Sequence, residues 1–122
     1  MERDLAISTE WLRERIKAGE RPFLIELRRA GDVDFTLLKV RGALQLTDDD
    51  ARRHLPEPAE GRTIVVCSAA PGDELALELA RALTERGLEA FFLAGGKKAY
   101  LSAGLPVDEI EQGREMTRSR GL

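Results

Sequence analysis

Apolar residues along the chain fall into two kinds of pattern, short unbroken runs and runs that recur about every four positions. Thr63-Ile64-Val65-Val66-Cys67 and Ala90-Phe91-Phe92-Leu93 carry no polar alternation, as expected of strands buried on both faces of a parallel sheet. Phe23-Leu24-Ile25-Glu26-Leu27 is a further run of strand length, broken by Arg28-Arg29-Ala30-Gly31-Asp32, and Gly42-Ala43-Leu44-Gln45-Leu46 is a weaker one. Between these runs the spacing turns helical. Ser8 is placed to N-cap a helix carrying Leu12 and Ile16, with Gly19 ending it. Thr47 is placed to cap a short acidic helix from Asp48 that carries Ala51 and Leu55, and Pro56 to Arg62 reads as a turn. Ala76, Leu79, Ala80 and Leu83 define the clearest helix, from Asp73 to Arg86, with Gly87 at its C-terminal cap. Ala94-Gly95-Gly96 makes a turn, and a last short helix from Lys97 to Ala103 is closed by Gly104 and Pro106.

Strands alternating with helices predict an α/β domain, a mainly parallel sheet of about five strands covered by helices on both faces. The pattern spans residues 1–107, and residues 108–122 form a polar tail with Arg114, Arg118 and Arg120. At 122 residues the chain suits one core and not two. Its 19 basic and 22 acidic residues balance to a net charge of −3, which argues against nucleic acid and anionic membrane as partners. No apolar run approaches the ~20 residues of a membrane span, so a cytoplasmic location is expected. One cysteine and one histidine exclude an internal disulfide and leave no structural zinc set. No metal or cofactor is expected.

In a parallel sheet, ligands sit beyond the carboxyl ends of the strands, which directs attention to Ser68-Ala69-Ala70-Pro71-Gly72-Asp73, between Cys67 and the clearest helix. A helix N-terminus favours a thiolate or a bound oxyanion, so a cysteine there needs no histidine to be activated.

The order of these segments resembles the rhodanese-like sulfurtransferase family from about Ile7 to Val107. "ISTEWLRERIKAGERPFLIELR" is similar to the family's opening helix and its strand ending in an Asp-Val-Arg-like triplet, here Glu26-Leu27-Arg28. "VRGALQL" resembles the family's "IPGAINIP" segment, with Arg41 where proline is usual and without the common preceding histidine. "LAGGKKAYLSAGLPV" is close to the terminal "LEGGxxAWxxAGLPV" signature, with Tyr100 in place of tryptophan, and is the most specific match. "IVVCSAAPGDELALELARALTERG" stands where the family has its catalytic strand, loop and helix. The resemblance implies a single rhodanese-like domain and a catalytic cysteine at the start of that loop. Such a cysteine takes sulfur from thiosulfate or another donor as a persulfide and passes it to a thiophilic acceptor, cradled by loop N–H groups.

The loop itself departs from the family. Anchored on Gly87, it resembles the longer "YCxCPNE" variant, so that Ser68 falls on the catalytic cysteine, Cys67 on the aromatic residue before it, Pro71 on the variant's proline and Asp73 on its glutamate. Two readings of Cys67 follow. As a nucleophile it must point into the loop. As structure it is a small buried hydrophobe, which strand alternation favours by turning its side chain to the opposite face from Ser68. Ser68 as nucleophile would need a general base, and His54, the chain's single histidine, reads as a surface residue of the acidic helix.

Asp73 and Glu74 in the first turn of the helix oppose anion binding. A Cys-x5-Arg phosphatase loop, found on a related fold, is absent because the sixth residue after Cys67 is Asp73. Lys97 and Lys98 read as a solvated pair, and Arg28 as a structural residue pairing with Asp32 or Asp34. The residues favour a domain of weak or lost sulfurtransferase activity with a binding or regulatory role toward a protein partner or a small thiol-reactive ligand, a sulfur donor or acceptor. The alternative is an active sulfurtransferase using a Cys67 persulfide cradled by the amides from Ser68 to Gly72.

Overall fold

In the computed structural model, residues 4–32, 37–54 and 61–109 are described. Strands β1 (Ala6–Ile7), β2 (Phe23–Arg28), β4 (Leu44–Thr47), β5 (Ile64–Ser68) and β6 (Ala90–Leu93) form one parallel sheet in the order β1-β6-β5-β2-β4. A separate antiparallel pair joins β3 (Leu38–Val40) to β7 (Val107–Glu109). The four strand-length runs are the four longer strands of the sheet. β1, β3 and β7, of two or three residues each, are too short to show a period.

The first two helices start where the capping chemistry places them. Helix α1 (Thr9–Lys17) is capped by Ser8, whose hydroxyl accepts the Trp11 N–H at 3.0 Å. Helix α2 (Asp48–Arg53) is capped by the Thr47 hydroxyl, which accepts the Asp50 N–H at 3.1 Å. The Asp48 carboxylate takes the Ala30 N–H at 2.7 Å, which holds it below the usual carboxylate range and ties the loop after β2 to α2. Leu55 and the turn from Pro56 fall largely outside the described residues. Helices α3 (Glu74–Glu85) and α4 (Gly96–Ser102) complete the set.

Strand alternation divides the core into two layers. Ile25, Leu27, Ile64 and Val66 face α3, where Ala76, Leu79, Ala80 and Leu83 cover them. Leu24, Val65, Cys67 and Leu93 face the other way, under Leu12 of α1 and Tyr100 of α4. Tyr100 is fully buried and donates its hydroxyl to the Pro106 carbonyl, and Arg13 of α1 donates to the Ala103 carbonyl at the end of α4. The β3–β7 pair includes Asp108 and Glu109, with Asp108 held by Arg41 at 3.0 Å; the tail from residue 110 lies outside the described residues.

Candidate functional site

The path of the chain through the sheet locates the site. From β2 to β4 the sheet grows toward one edge; β5 then returns to the other side of β2, so the strand order reverses between β2 and β5. The carboxyl ends of the strands at such a reversal are where open α/β sheets hold ligands. Residues 69–73, between β5 and α3, leave from there. The base of this crevice is closed: the Ala69 N–H donates to the Leu27 carbonyl at 2.7 Å, adding a rung beyond the β2–β5 ladder.

Cys67 lies beneath the loop. Its side chain is wholly buried in the α1 and α4 layer, with Leu24, Leu93, Tyr100 and Leu105. Burial, and then the negative charge of Glu26, pushes the thiol from its ordinary 9.0 up to about 12. The thiolate is the nucleophilic form, and this environment favours the protonated thiol over it.

Glu26, the register partner of Cys67 on β2, is 6% exposed and anchors a buried polar cluster. Its Oε1 accepts the Val40 N–H at 3.0 Å; its Oε2 accepts from Gln45 Nε2 at 3.2 Å and from Lys97 Nζ at 3.2 Å. Lys97, expected to be solvated, is 4% exposed and enters the interior as the counter-ion of Glu26. The carboxylate needs that charge once it is out of water. The signal was present in the sequence: a glutamate inside an otherwise apolar strand run demands a buried partner, although nothing in the run says which of the chain's cations supplies it.

Ser68 ends β5 and is 3% exposed. Its hydroxyl is closed onto the loop, 3.2 Å from both the Ala70 N–H and the Ala70 carbonyl. The exposed His54 caps the far end of α2, and no hydrogen bond joins it to Ser68 among the described residues. The loop therefore offers few free donors. The Ala69 N–H is bonded to Leu27, the Ala70 N–H to the Ser68 hydroxyl, and Pro71 has none.

Asp73 occupies the N-cap position of α3 without making a side-chain cap. Its Oδ2 instead accepts the Gly95 N–H at 3.2 Å, joining the loop to the turn before α4. Gly72 supplies the left-handed conformation that turns the loop into the helix, at φ 81°. Arg28 donates to the Asp32 backbone carbonyl at 3.2 Å, where a bond to the carboxylate was expected; Asp34 lies outside the described residues. Beside the loop, a cleft of about 320 Å³ opens between α2 and α3, floored by Leu27, Ala51, Leu75 and Leu79 and rimmed by Asp48 and Glu78. Among the described residues no His, Cys, Asp or Glu cluster is arranged to hold a metal ion, and no helix is long and apolar enough to cross a membrane.

No protein-family model and no curated protein matches the sequence. Solved structures do match the fold. A full-length Lactobacillus plantarum protein superposes with a TM-score of 0.71 at 23% identity, over 86% of this chain and 88% of that one. A rhodanese-related protein from Thermoplasma volcanium matches with a TM-score of 0.65 at 18% identity, over 87% of this chain and 98% of the other. The rhodanese-like domain of an Anabaena protein, solved in solution, matches with a TM-score of 0.65 at 25% identity, over 93% and 84%.

Proposed function

We propose that this chain, a rhodanese-like domain by fold, is a binding or regulatory module whose sulfurtransferase activity is weak or lost. The observation that carries this reading is the placement of Cys67: fully buried on the α1 and α4 side of the sheet, beside Glu26, with its thiol raised to about 12. Sulfur transfer from thiosulfate requires a thiolate to attack the outer sulfur, form the new S–S bond and release sulfite. A thiolate beside a buried carboxylate is disfavoured at the first step.

The loop supports the same reading. An anionic persulfide needs converging N–H donors, and in this loop Ala69 and Ala70 have spent theirs on Leu27 and Ser68. Ser68, at the family's cysteine position, has its hydroxyl turned onto Ala70, and among the described residues no base is hydrogen-bonded to it. What remains at the carboxyl end of the sheet is a recognition surface, the Ser68 to Asp73 loop with the adjoining α2–α3 cleft, suited to a protein partner or a small ligand. A lone thiol without a disulfide partner fits a cytoplasmic setting.

Thiosulfate-to-cyanide turnover of the chain and of Cys67→Ala tests the proposal. Equal, near-background rates are expected. Substantial turnover that disappears with Cys67 would overturn it in favour of a persulfide enzyme.

A further inference from the structure

We propose that residues 96–109, comprising α4 and β7, form a flap that is latched to the sheet by the Lys97–Glu26 ion pair and opens as a unit while the five-stranded sheet stays folded. The topology permits it. Among the described residues β6 is the last strand of that sheet, and neither α4 nor β7 contributes a strand to it. The segment can therefore lift without unthreading any element. Its hinge is built in: Gly95 at the N-cap and Gly96 at the first position of α4 stand at φ 83° and 60°, backbone states that relax at little cost in a residue without Cβ.

The closed state is held by core packing and by polar ties, with Tyr100 and Leu105 in the layer shared with α1. α4 has seven residues, too few to be stable as a helix once detached. It is fastened by the packing of Tyr100, the Arg13 bond to Ala103, the β3–β7 ladder with Arg41, and the buried pair at 3.2 Å. The pair makes this fastening two-state. A slight displacement of Lys97 would leave a desolvated carboxylate unpaired, which is worse than either the closed pair or two fully hydrated ions. Opening uncovers Glu26 and Cys67 together, so a reagent reaches the thiol through this motion and not through the 69–73 loop.

Hydrogen exchange of the full chain, followed by mass spectrometry across sub-denaturing urea, tests the flap. Peptides covering 96–109 are expected to exchange together through an opening that depends weakly on urea, whereas β2 and β5 exchange through global unfolding. In Lys97→Met, exchange of 96–109 is expected to rise about tenfold or more, with β2 and β5 changing far less. If 96–109 tracks β2 and β5 at every urea concentration, the flap does not exist. If Lys97→Met speeds all segments equally, the pair is a general stabiliser and not a latch. Should that variant fail to fold, the urea dependence of the unaltered chain still decides between one exchanging unit and two.

Discussion

The backbone of Gly96 rests against the carbonyl of Ser68 so closely that a Cβ on Gly96 would be driven into that oxygen. This contact sets the N-terminus of α4 against the carboxyl end of β5 and brings Lys97 within reach of Glu26. Gly96→Ala would need both a shift of that carbonyl and an L-residue at φ 60°. We expect a loss of about 2 kcal/mol or more in urea-unfolding free energy. Gly19→Ala has open space around its Cβ and carries the backbone cost alone, about 1 kcal/mol.

If Cys67 is a core residue, its site rejects charge and accepts apolar volume. Cys67→Val is expected to stay within about 1.5 kcal/mol of the parent. Cys67→Asp, which buries a second carboxylate beside Glu26, is expected to cost about 3 kcal/mol or more, or to prevent folding. Urea midpoints for the two variants check both.

The raised thiol fixes the sign of a pH effect. Cys67 binds its proton more tightly folded, with a value of about 12, than unfolded, near the ordinary 9.0. Its contribution is therefore fully present below pH 9 and is lost as pH rises toward 12, at up to about 1.4 kcal/mol per pH unit. Tyr100, raised from 10.0 to about 12 chiefly by burial, adds a loss of the same sign at the upper end. Stability measured from pH 8 to 11 should fall more steeply in the parent than in Cys67→Val, where only the cysteine part is removed. Parallel curves would contradict the shift.

Asp73→Ala removes the acceptor of the Gly95 N–H. With no side-chain cap on α3 to lose, the expected cost is that of one exposed hydrogen bond, about 0.5 to 1.5 kcal/mol. Thermal unfolding measures it. A much larger effect would give Asp73 a role the structure does not.

Much of the fold was legible because the long elements carry strong periods. The run from Ile64 to Cys67 and the spacing of Ala76, Leu79, Ala80 and Leu83 point to a buried strand and a one-sided helix, and both occur. The caps at Ser8 and Thr47 were legible for a local reason, since each needs only its own hydroxyl and an N–H three residues on. Cys67 lies with Leu24, Val65 and Leu93 in the layer under α1 and α4. What pattern could not supply was long-range pairing. β3 and β7 exist because Val40 and Val107, 67 positions apart, meet in one ladder. Lys97 was misread because a helix-start lysine is usually solvated, and its counter-ion lies 71 residues away. Arg28 found a backbone carbonyl where charge alone suggested a carboxylate.

On the proposed function, Cys67 does not act as a sulfur acceptor in the folded chain. Intact-mass spectrometry after thiosulfate treatment at neutral pH, run beside Cys67→Ser and paralleled by iodoacetamide labelling, tests it most directly. The expected result is an unchanged mass and a thiol alkylated far more slowly than an exposed one. A gain of one sulfur that is absent from Cys67→Ser, with rapid alkylation well below the ordinary thiol value of 9.0, would overturn it.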